Sequence, residues 1–135
     1  MLININDVLD SDIKNVVIIT KYKGKWVYCK HRERTTYELP SAVRGKGETI
    51  EETARRALYE QTGAKNFELI PVGVYETEAS SKKYGMLYFS DIINIGPKPT
   101  NEIARICYLD EHPAQQTYPQ LHPRLVDEAK RKGTI

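Results

Sequence analysis

Cysteine, tryptophan and phenylalanine are scarce in this chain of 135 residues, which contains two cysteines, one tryptophan and two phenylalanines. The cysteines, Cys29 and Cys107, lie far apart in the sequence and cannot form the dense disulfide framework of a small secreted domain. They are typical of reduced thiols, so we expect a cytoplasmic protein.

A long apolar run is also absent, and the charge is nearly balanced. Because no segment is apolar over about 20 residues, we expect neither a membrane span nor a signal peptide. The net charge of +2 is too small to indicate binding to nucleic acid or to a membrane surface. With 40% hydrophobic and 28% charged residues, the composition predicts one globular domain over residues 1–135. We expect a monomer or a homodimer.

The segment 49–63 contains the start and stop signals of a helix. Thr49 and Glu52 form a Thr-x-x-Glu capping box, and Gly63 is the glycine expected just past a helix end. Between them, apolar residues recur at helical spacing, and they are Ile50, Ala54, Ala57 and Leu58. The sequence therefore predicts a helix from about residue 50 to 62.

Strands are predicted on both sides of this helix. The unbroken apolar run Val16–Ile19 is typical of a strand covered on both faces, and a turn at 23–25 leads into a second strand, Trp26–His31. Further strands are predicted at 67–77, 84–95 and around 103–109, with an edge or bulge at Pro71, a turn at 79–83 and a closing helix from Pro123. The first 14 residues suggest only a short edge strand and a turn. Together these elements predict an α/β fold.

The stretch from Tyr37 to Ala64 resembles the Nudix box of the MutT-like hydrolases. Its start, Tyr37-Glu38-Leu39-Pro40, is similar to the aromatic-Glu-aliphatic-Pro run before the box. The positions that match the box itself are Glu48, Arg56, Leu58, Glu60 and Gly63. The resemblance implies a Nudix-type α/β/α sandwich around a mixed β-sheet, and hydrolysis of nucleoside diphosphate derivatives with Mg²⁺ or Mn²⁺.

Four positions depart from the motif, and they gather at the phosphate-facing loop and the metal-facing turn. Ser41 and Ala42 stand where the family has two glycines, while Ala57 and Gln61 stand where it has two glutamates. Because positions 57, 60 and 61 should share one helix face, one carboxylate remains of three, and we expect Mg²⁺ or Mn²⁺ to bind weakly or not at all.

The resemblance also implies roles for individual residues. Glu48 and Glu60 are the expected metal ligands, weakly held, and Glu60 and Arg56 the expected catalytic residues, with Arg56 orienting the glutamates. The residues expected to contact substrate are Arg32, Ser41, Ala42, Ala57 and Gln61.

Two cysteine–histidine pairs offer a different chemistry. Cys29 and His31 lie at i and i+2 on one predicted strand, so they share a face and could act as nucleophile and base if the thiol pKa is low. Cys107 and His112 form an alternative pair. The competing interpretation is a buried cysteine and an exposed or strand-end histidine.

Spare carboxylates could complete a metal site from outside the box. In some Nudix proteins a glutamate on a nearby strand or loop acts as base or extra ligand, and the candidates here are Glu76, Glu78 and Glu102. No spacing argument selects one of them.

The departures lead to one main hypothesis and two alternatives. The main hypothesis is a Nudix scaffold that has lost most of its metal cluster, so that native pyrophosphohydrolysis is weak or absent, through divergence toward binding or through deliberate redesign. The first alternative is a metal-free cysteine/histidine hydrolase acting on an activated ester or acyl substrate. The second is an active pyrophosphohydrolase that uses Glu48, Glu60 and an outside glutamate. The expected ligand is a nucleotide-like small molecule or an activated ester.

Overall fold

The computed structural model describes residues 2–77, 83–98 and 103–135 and shows a mixed eight-stranded sheet with two helices. The strands are β1 (Ile13–Tyr22), β2 (Lys25–His31), β3 (Tyr37–Glu38), β4 (Ser41–Val43), β5 (Ala64–Phe67), β6 (Ile70–Glu76), β7 (Tyr84–Ile95) and β8 (Ile103–Leu109). The helices are α1 (Ile50–Thr62) and α2 (His122–Lys132). The predicted α/β fold is confirmed.

Strand β1 lies at the centre of the sheet and has three partners. It pairs in parallel with β7 along its whole length, from Ile13 to Tyr22. On its other edge it pairs with β2 only next to their shared turn, at Lys21 and Tyr22, and with β4 at Asn15–Val17. Strands β1 and β2 therefore diverge after the turn, and β4 occupies the space next to β1.

The core lies on both sides of β1. Val16 and Ile18 belong to a buried cluster with residues of α1, and Val17 and Ile19 belong to a second buried cluster with residues of α2. Alternate side chains of a strand point to opposite faces of the sheet, so the two helices cover opposite faces. This arrangement confirms the prediction that the run Val16–Ile19 is covered on both faces.

Helix α1 has the predicted bounds and caps. The Thr49 hydroxyl accepts from the backbone N–H of Glu52, whose carboxylate accepts from the backbone N–H of Thr49. The chain leaves the helix through Gly63, at a φ of 78°. The predicted apolar stripe is buried at all four positions, Ile50, Ala54, Ala57 and Leu58.

The single strand predicted at 67–77 is interrupted. Phe67 in β5 lies opposite Ile92 of β7, and Ile70 in β6 lies opposite Phe89, so the register is the same on both sides of the break at 68–69. A register shift follows Pro71, as expected for a proline that cannot donate to a ladder.

The start of the chain differs from the prediction. The start contains two short 3₁₀ helices, Ile5–Asp7 and Asp10–Asp12, where a turn was predicted, and Ile3 makes an isolated bridge to Val74. The turn predicted at 79–83 lies almost entirely outside the described residues.

The two helix-ending glycines allow a matched test of the fold. Gly63 and Gly133 both have a φ near 80°, where an L-residue costs about 1–2 kcal/mol. A Cβ on Gly63 would also overlap the carbonyl oxygen of Gly96, whereas a Cβ on Gly133 would meet nothing. We expect Gly63→Ala to lower the free energy of unfolding by at least about 2 kcal/mol more than Gly133→Ala. Urea unfolding measures both, and equal losses would contradict the packing of Gly63 against Gly96.

Candidate functional site

A cleft of about 770 Å³ opens where β1 and β2 diverge. Its walls come from β1, β4, the last two turns of α1, and the segment 117–124 that leads into α2. The lining residues that carry polar or aromatic groups relevant to binding are His31, Glu38, Ser41, Arg56, Glu60, Gln61, Tyr75, Glu76, Tyr118, His122 and Arg124. The cleft therefore brings the α1 part of the box together with residues far away in the sequence.

Arg56 contacts three different parts of the chain at this site. Its guanidinium donates to both carboxylate oxygens of Glu48, at 2.7 and 3.0 Å, and to Glu60 Oε1 at 3.2 Å. It also donates to the carbonyl oxygen of Val43 at 3.3 Å. One cation thus joins the loop before α1, the helix itself and β4. The orienting role of Arg56 toward the glutamates stays a prediction.

The carboxylate of Glu48 is fully engaged by the protein. In addition to Arg56, its Oε1 accepts from the backbone N–H of Gly45 at 2.8 Å and from the hydroxyl of Thr53 at 2.9 Å. The hydrogen bond from Arg56 is the main cause that lowers the pKa of Glu48 to about 2, and those from Thr53 and Gly45 act in the same direction. Glu48 therefore stays ionised and bound to neighbours over the physiological pH range.

Gln61 is held by its neighbour Ser41 rather than pointing freely into the cleft. Its Nε2 donates to the carbonyl oxygen of Ser41 at 2.6 Å, and its Oε1 accepts from the N–H of Ser41 at 3.2 Å. The side-chain amide thus pairs with the backbone of β4 as another strand would. An ionised glutamate could accept from this N–H but could not donate to this carbonyl.

Ala42 and Ala57, both predicted to contact substrate, lie in different environments. Ala42 lines the cleft, opposite Val16 of β1. Ala57 is completely buried and belongs to the core cluster under α1. Positions 57, 60 and 61 are i, i+3 and i+4 of α1 and so share one side of the helix, but at different depths, because Ala57 is buried while the Glu60 side chain is 44% exposed.

His31 and Arg32 are adjacent in the chain but differ in their relation to the cleft. His31 lines the cleft at the end of β2, whereas Arg32 is exposed in the following loop, outside the described lining of the cleft. Of the spare carboxylates, Glu76 lines the cleft and Glu78 and Glu102 lie outside the described residues.

Few carboxylate oxygens at this turn of α1 are free to bind a hard divalent cation. Mg²⁺ requires several oxygen ligands, with carboxylates among them. Glu48 accepts four hydrogen bonds, Gln61 is an amide paired with Ser41, and the Arg56 guanidinium lies between Glu48 and Glu60. Within residues 2–77, 83–98 and 103–135, no three His, Cys, Asp or Glu side chains form a group that could hold a metal ion.

The Cys29 thiol lacks the properties of a nucleophile. Cys29 is completely buried and lies 3.9 Å from the carbonyl oxygen of Gln61. Burial, followed by the nearby Glu38 carboxylate, raises its pKa far above the usual value of a thiol. A reactive cysteine needs a lowered pKa and access to substrate, so this environment argues against the proposed pair of Cys29 with His31.

The alternative pair lies away from the cleft. His112 Nδ1 makes a hydrogen bond with the Tyr28 hydroxyl at 2.8 Å, and its ring lies 4.3 Å from that of Trp26. Burial is the main cause that lowers the pKa of His112. Cys107 lies opposite Tyr28 on β8, and His112 lies in the loop after β8, so both residues are near β2 and outside the described lining of the cleft.

Glu38 and His122 are among the cleft residues that sequence reasoning missed. Glu38 lies in the run Tyr37–Pro40, which served only as a marker of the family, although a charged residue between apolar neighbours in a strand is itself a signal. His122 is 1% exposed, and its Nδ1 accepts from the backbone N–H of Leu39 at 3.2 Å. Burial lowers the pKa of His122 to about 4, so its ring is neutral at physiological pH.

Comparisons with known proteins identify similar chains. No family model matches the sequence. The protein YtkD of Bacillus subtilis (strain 168), provisionally named an 8-oxo-dGTP diphosphatase, is 35% identical over 80 residues, which cover 58% of this chain and 50% of that protein. The match thus spans only about half the length of this relative.

Solved structures match over almost the whole chain. A mutant form of the Bacillus subtilis pyrophosphohydrolase BsRppH is 25% identical, with a TM-score of 0.81, and the match covers 98% of this chain and 90% of that one. The NUDIX domain of Shewanella oneidensis NrtR, solved with ADP ribose, is 11% identical, with a TM-score of 0.61 and coverages of 89% and 87%. Over the described part of the chain, no helix is long and apolar enough to cross a membrane.

The pairing of Gln61 with Ser41 can be tested by introducing a negative charge at position 61. We expect Gln61→Glu to lower the free energy of unfolding at pH 7 by about 1–3 kcal/mol, because an ionised carboxylate would face the Ser41 carbonyl. The folded state should raise the pKa of this new carboxyl above its unfolded-state value of about 4.3. The loss of stability should therefore be absent below the unfolded-state pKa and should appear as the pH rises through the folded-state pKa.

The control for this test is Gln115→Glu, the same change at an exposed position. Chemical unfolding from pH 3.5 to 8 measures both variants. An equal pH dependence in the two variants, or an unchanged stability of Gln61→Glu at pH 7, would contradict the pairing.

Proposed function

We propose that this chain, whose fold is that of the Nudix hydrolases, binds a nucleotide-like ligand in the cleft while metal-dependent pyrophosphohydrolysis is weak or absent. The observation that carries this proposal is the position of Arg56. Its guanidinium pairs with Glu48 and Glu60, the two carboxylates that remain of the box, while Gln61 is an amide. A second cation beside this guanidinium would meet repulsion and would have few free carboxylate oxygens.

Several features of the cleft support nucleotide binding. A volume of about 770 Å³ is within the range of small-molecule sites. The ring of Tyr118 offers an aromatic face, and Arg124 and His31 offer donors for phosphate oxygens. Among the similar proteins, YtkD is named for 8-oxo-dGTP, and the NrtR domain was solved with ADP ribose. A nucleoside diphosphate is therefore the proposed ligand class.

The two alternative functions, an active pyrophosphohydrolase and a cysteine hydrolase, would require different residues in the cleft. An active pyrophosphohydrolase would need Glu60 to act with an outside carboxylate, and Glu76 is the candidate that lines the same cleft. A cysteine hydrolase would need an accessible thiolate, and the burial of Cys29 argues against one at that position.

Calorimetric titration with a panel of nucleoside diphosphates in EDTA, followed by turnover assays with Mg²⁺ and Mn²⁺, tests the proposal. We expect binding without metal and no turnover above that of the buffer. Arg124→Ala should weaken binding by roughly tenfold, because one charged contact to phosphate is lost. The matched control is Arg131→Ala on the same helix, whose side chain is 74% exposed and outside the described lining of the cleft.

Two results would contradict the proposal. An absence of nucleotide binding would remove the ligand class. Metal-dependent turnover that disappears in both Glu60→Gln and Glu76→Gln would show instead an active hydrolase that uses a carboxylate outside the box.

A further inference from the structure

A buried carboxylate lies at the inner end of the cleft without a hydrogen-bond partner on one of its oxygens. Glu38, in β3, lines the cleft, and its side chain is 9% exposed. Its Oε1 has no hydrogen-bond partner among the described residues and almost no accessible surface, so a ligand reaches this oxygen only after the carboxylate turns toward the cleft. The nearest cation, Arg34 NH1, is 3.8 Å away, which is too long for a hydrogen bond.

An unsatisfied buried carboxylate needs an explanation, because burial of a polar group without a partner is unfavourable. Burial is the main cause that raises the pKa of Glu38, while the charges of His31 and Arg34 and the hydroxyl of Thr117 act in the opposite direction. The fold itself leaves the carboxylate only partly satisfied. A ligand that donates hydrogen bonds to it would supply what the protein does not.

The chemistry of a carboxylate limits which ligand groups can bind there. An ionised carboxylate only accepts hydrogen bonds, and its two oxygens match two adjacent N–H donors. The edge of guanine formed by N1–H and the 2-amino group presents such a pair. Adenine presents a donor next to an acceptor on the corresponding edge, so one carboxylate oxygen would face a ring nitrogen. Glu38 would therefore favour guanine over adenine.

The surroundings of Glu38 suit a flat base. The ring of Tyr118, which is 42% exposed, lines the same cleft and lies 5.0 Å from the His122 ring. An exposed aromatic ring next to a hydrogen-bonding group is a common arrangement for stacking a base whose edge is read by a side chain. Arg124 lines the cleft as well and is available for phosphate.

We propose that Glu38 selects the base of the nucleotide by accepting hydrogen bonds from the N1–H and 2-amino edge of a guanine-type ring stacked on Tyr118. This inference rests on the proposed nucleotide binding and adds the base class and the selecting residue.

Titration of GDP and ADP in EDTA, against the unchanged protein and Glu38→Gln, tests this role. We expect the unchanged protein to bind GDP at least about tenfold more tightly than ADP, as one bidentate contact to a base edge allows. Glutamine presents one acceptor and one donor, which suits the adenine edge better, so Glu38→Gln should reduce the GDP/ADP ratio to about threefold or less.

Glu51→Gln is the matched control, because Glu51 is exposed on α1 and paired with Arg55. It should keep the full preference for GDP, and circular dichroism should show that Glu38→Gln is folded, since this change removes a buried charge. Equal binding of GDP and ADP by the unchanged protein, or an unchanged preference in Glu38→Gln, would overturn the role of Glu38 and leave nucleotide binding intact. No binding of either nucleotide would overturn both proposals.

Discussion

The contact between Arg56 and Glu48 is the interaction on which the site depends. Glu48 lies in the loop before α1, and Arg56 lies almost two turns into the helix, so their two hydrogen bonds fix the loop to the helix. The same guanidinium reaches Glu60 and the carbonyl oxygen of Val43. If this cation were removed, the carboxylate of Glu48 would lose its principal partner, and the loop, α1 and β4 would lose their common contact.

The wall of the cleft is therefore held together by groups that belong to the protein. The Arg56 guanidinium pairs with both glutamates, and the Gln61 amide joins α1 to β4 through both backbone groups of Ser41. A glutamate at position 61 could make only one of these two bonds. This explains why an amide is compatible with the observed geometry in a site where the family has a carboxylate.

The sequence predicted α1 closely and the sheet less completely, for a physical reason. The capping box, the apolar stripe and Gly63 act within one or two helical turns, so they can be recognised locally. The pairing of β1 with β7 and β4 joins segments far apart in the chain, and no local pattern reports it. The break at 68–69 was missed because its flanking residues keep the register of one continuous strand.

At the candidate site, too, the sequence indicated local features but not burial or long-range contacts. The helical spacing predicts that Ala57 is a core residue, whereas the motif predicts that it contacts substrate. Ala57 belongs to the buried cluster that includes residues of β1, which favours the core position. Cys29 and His31 were paired by strand alternation, which says nothing about depth, and Cys29 is completely buried. Glu38 was overlooked because its unsatisfied oxygen is a property of three-dimensional burial, and only its charge between apolar neighbours was visible in the sequence.

Thermal unfolding in Mn²⁺ compared with EDTA tests most directly whether the site is held by its own side chains. A cation that binds the folded state stabilises it by RT ln(1 + [L]/Kd), so a site with millimolar affinity gains less than about 1 kcal/mol at a few millimolar Mn²⁺. We expect the Tm to change by no more than about 4 °C under these conditions. A rise of several degrees that saturates at micromolar Mn²⁺ and disappears in Glu60→Gln would show that a metal ion, and not Arg56, organises the cleft.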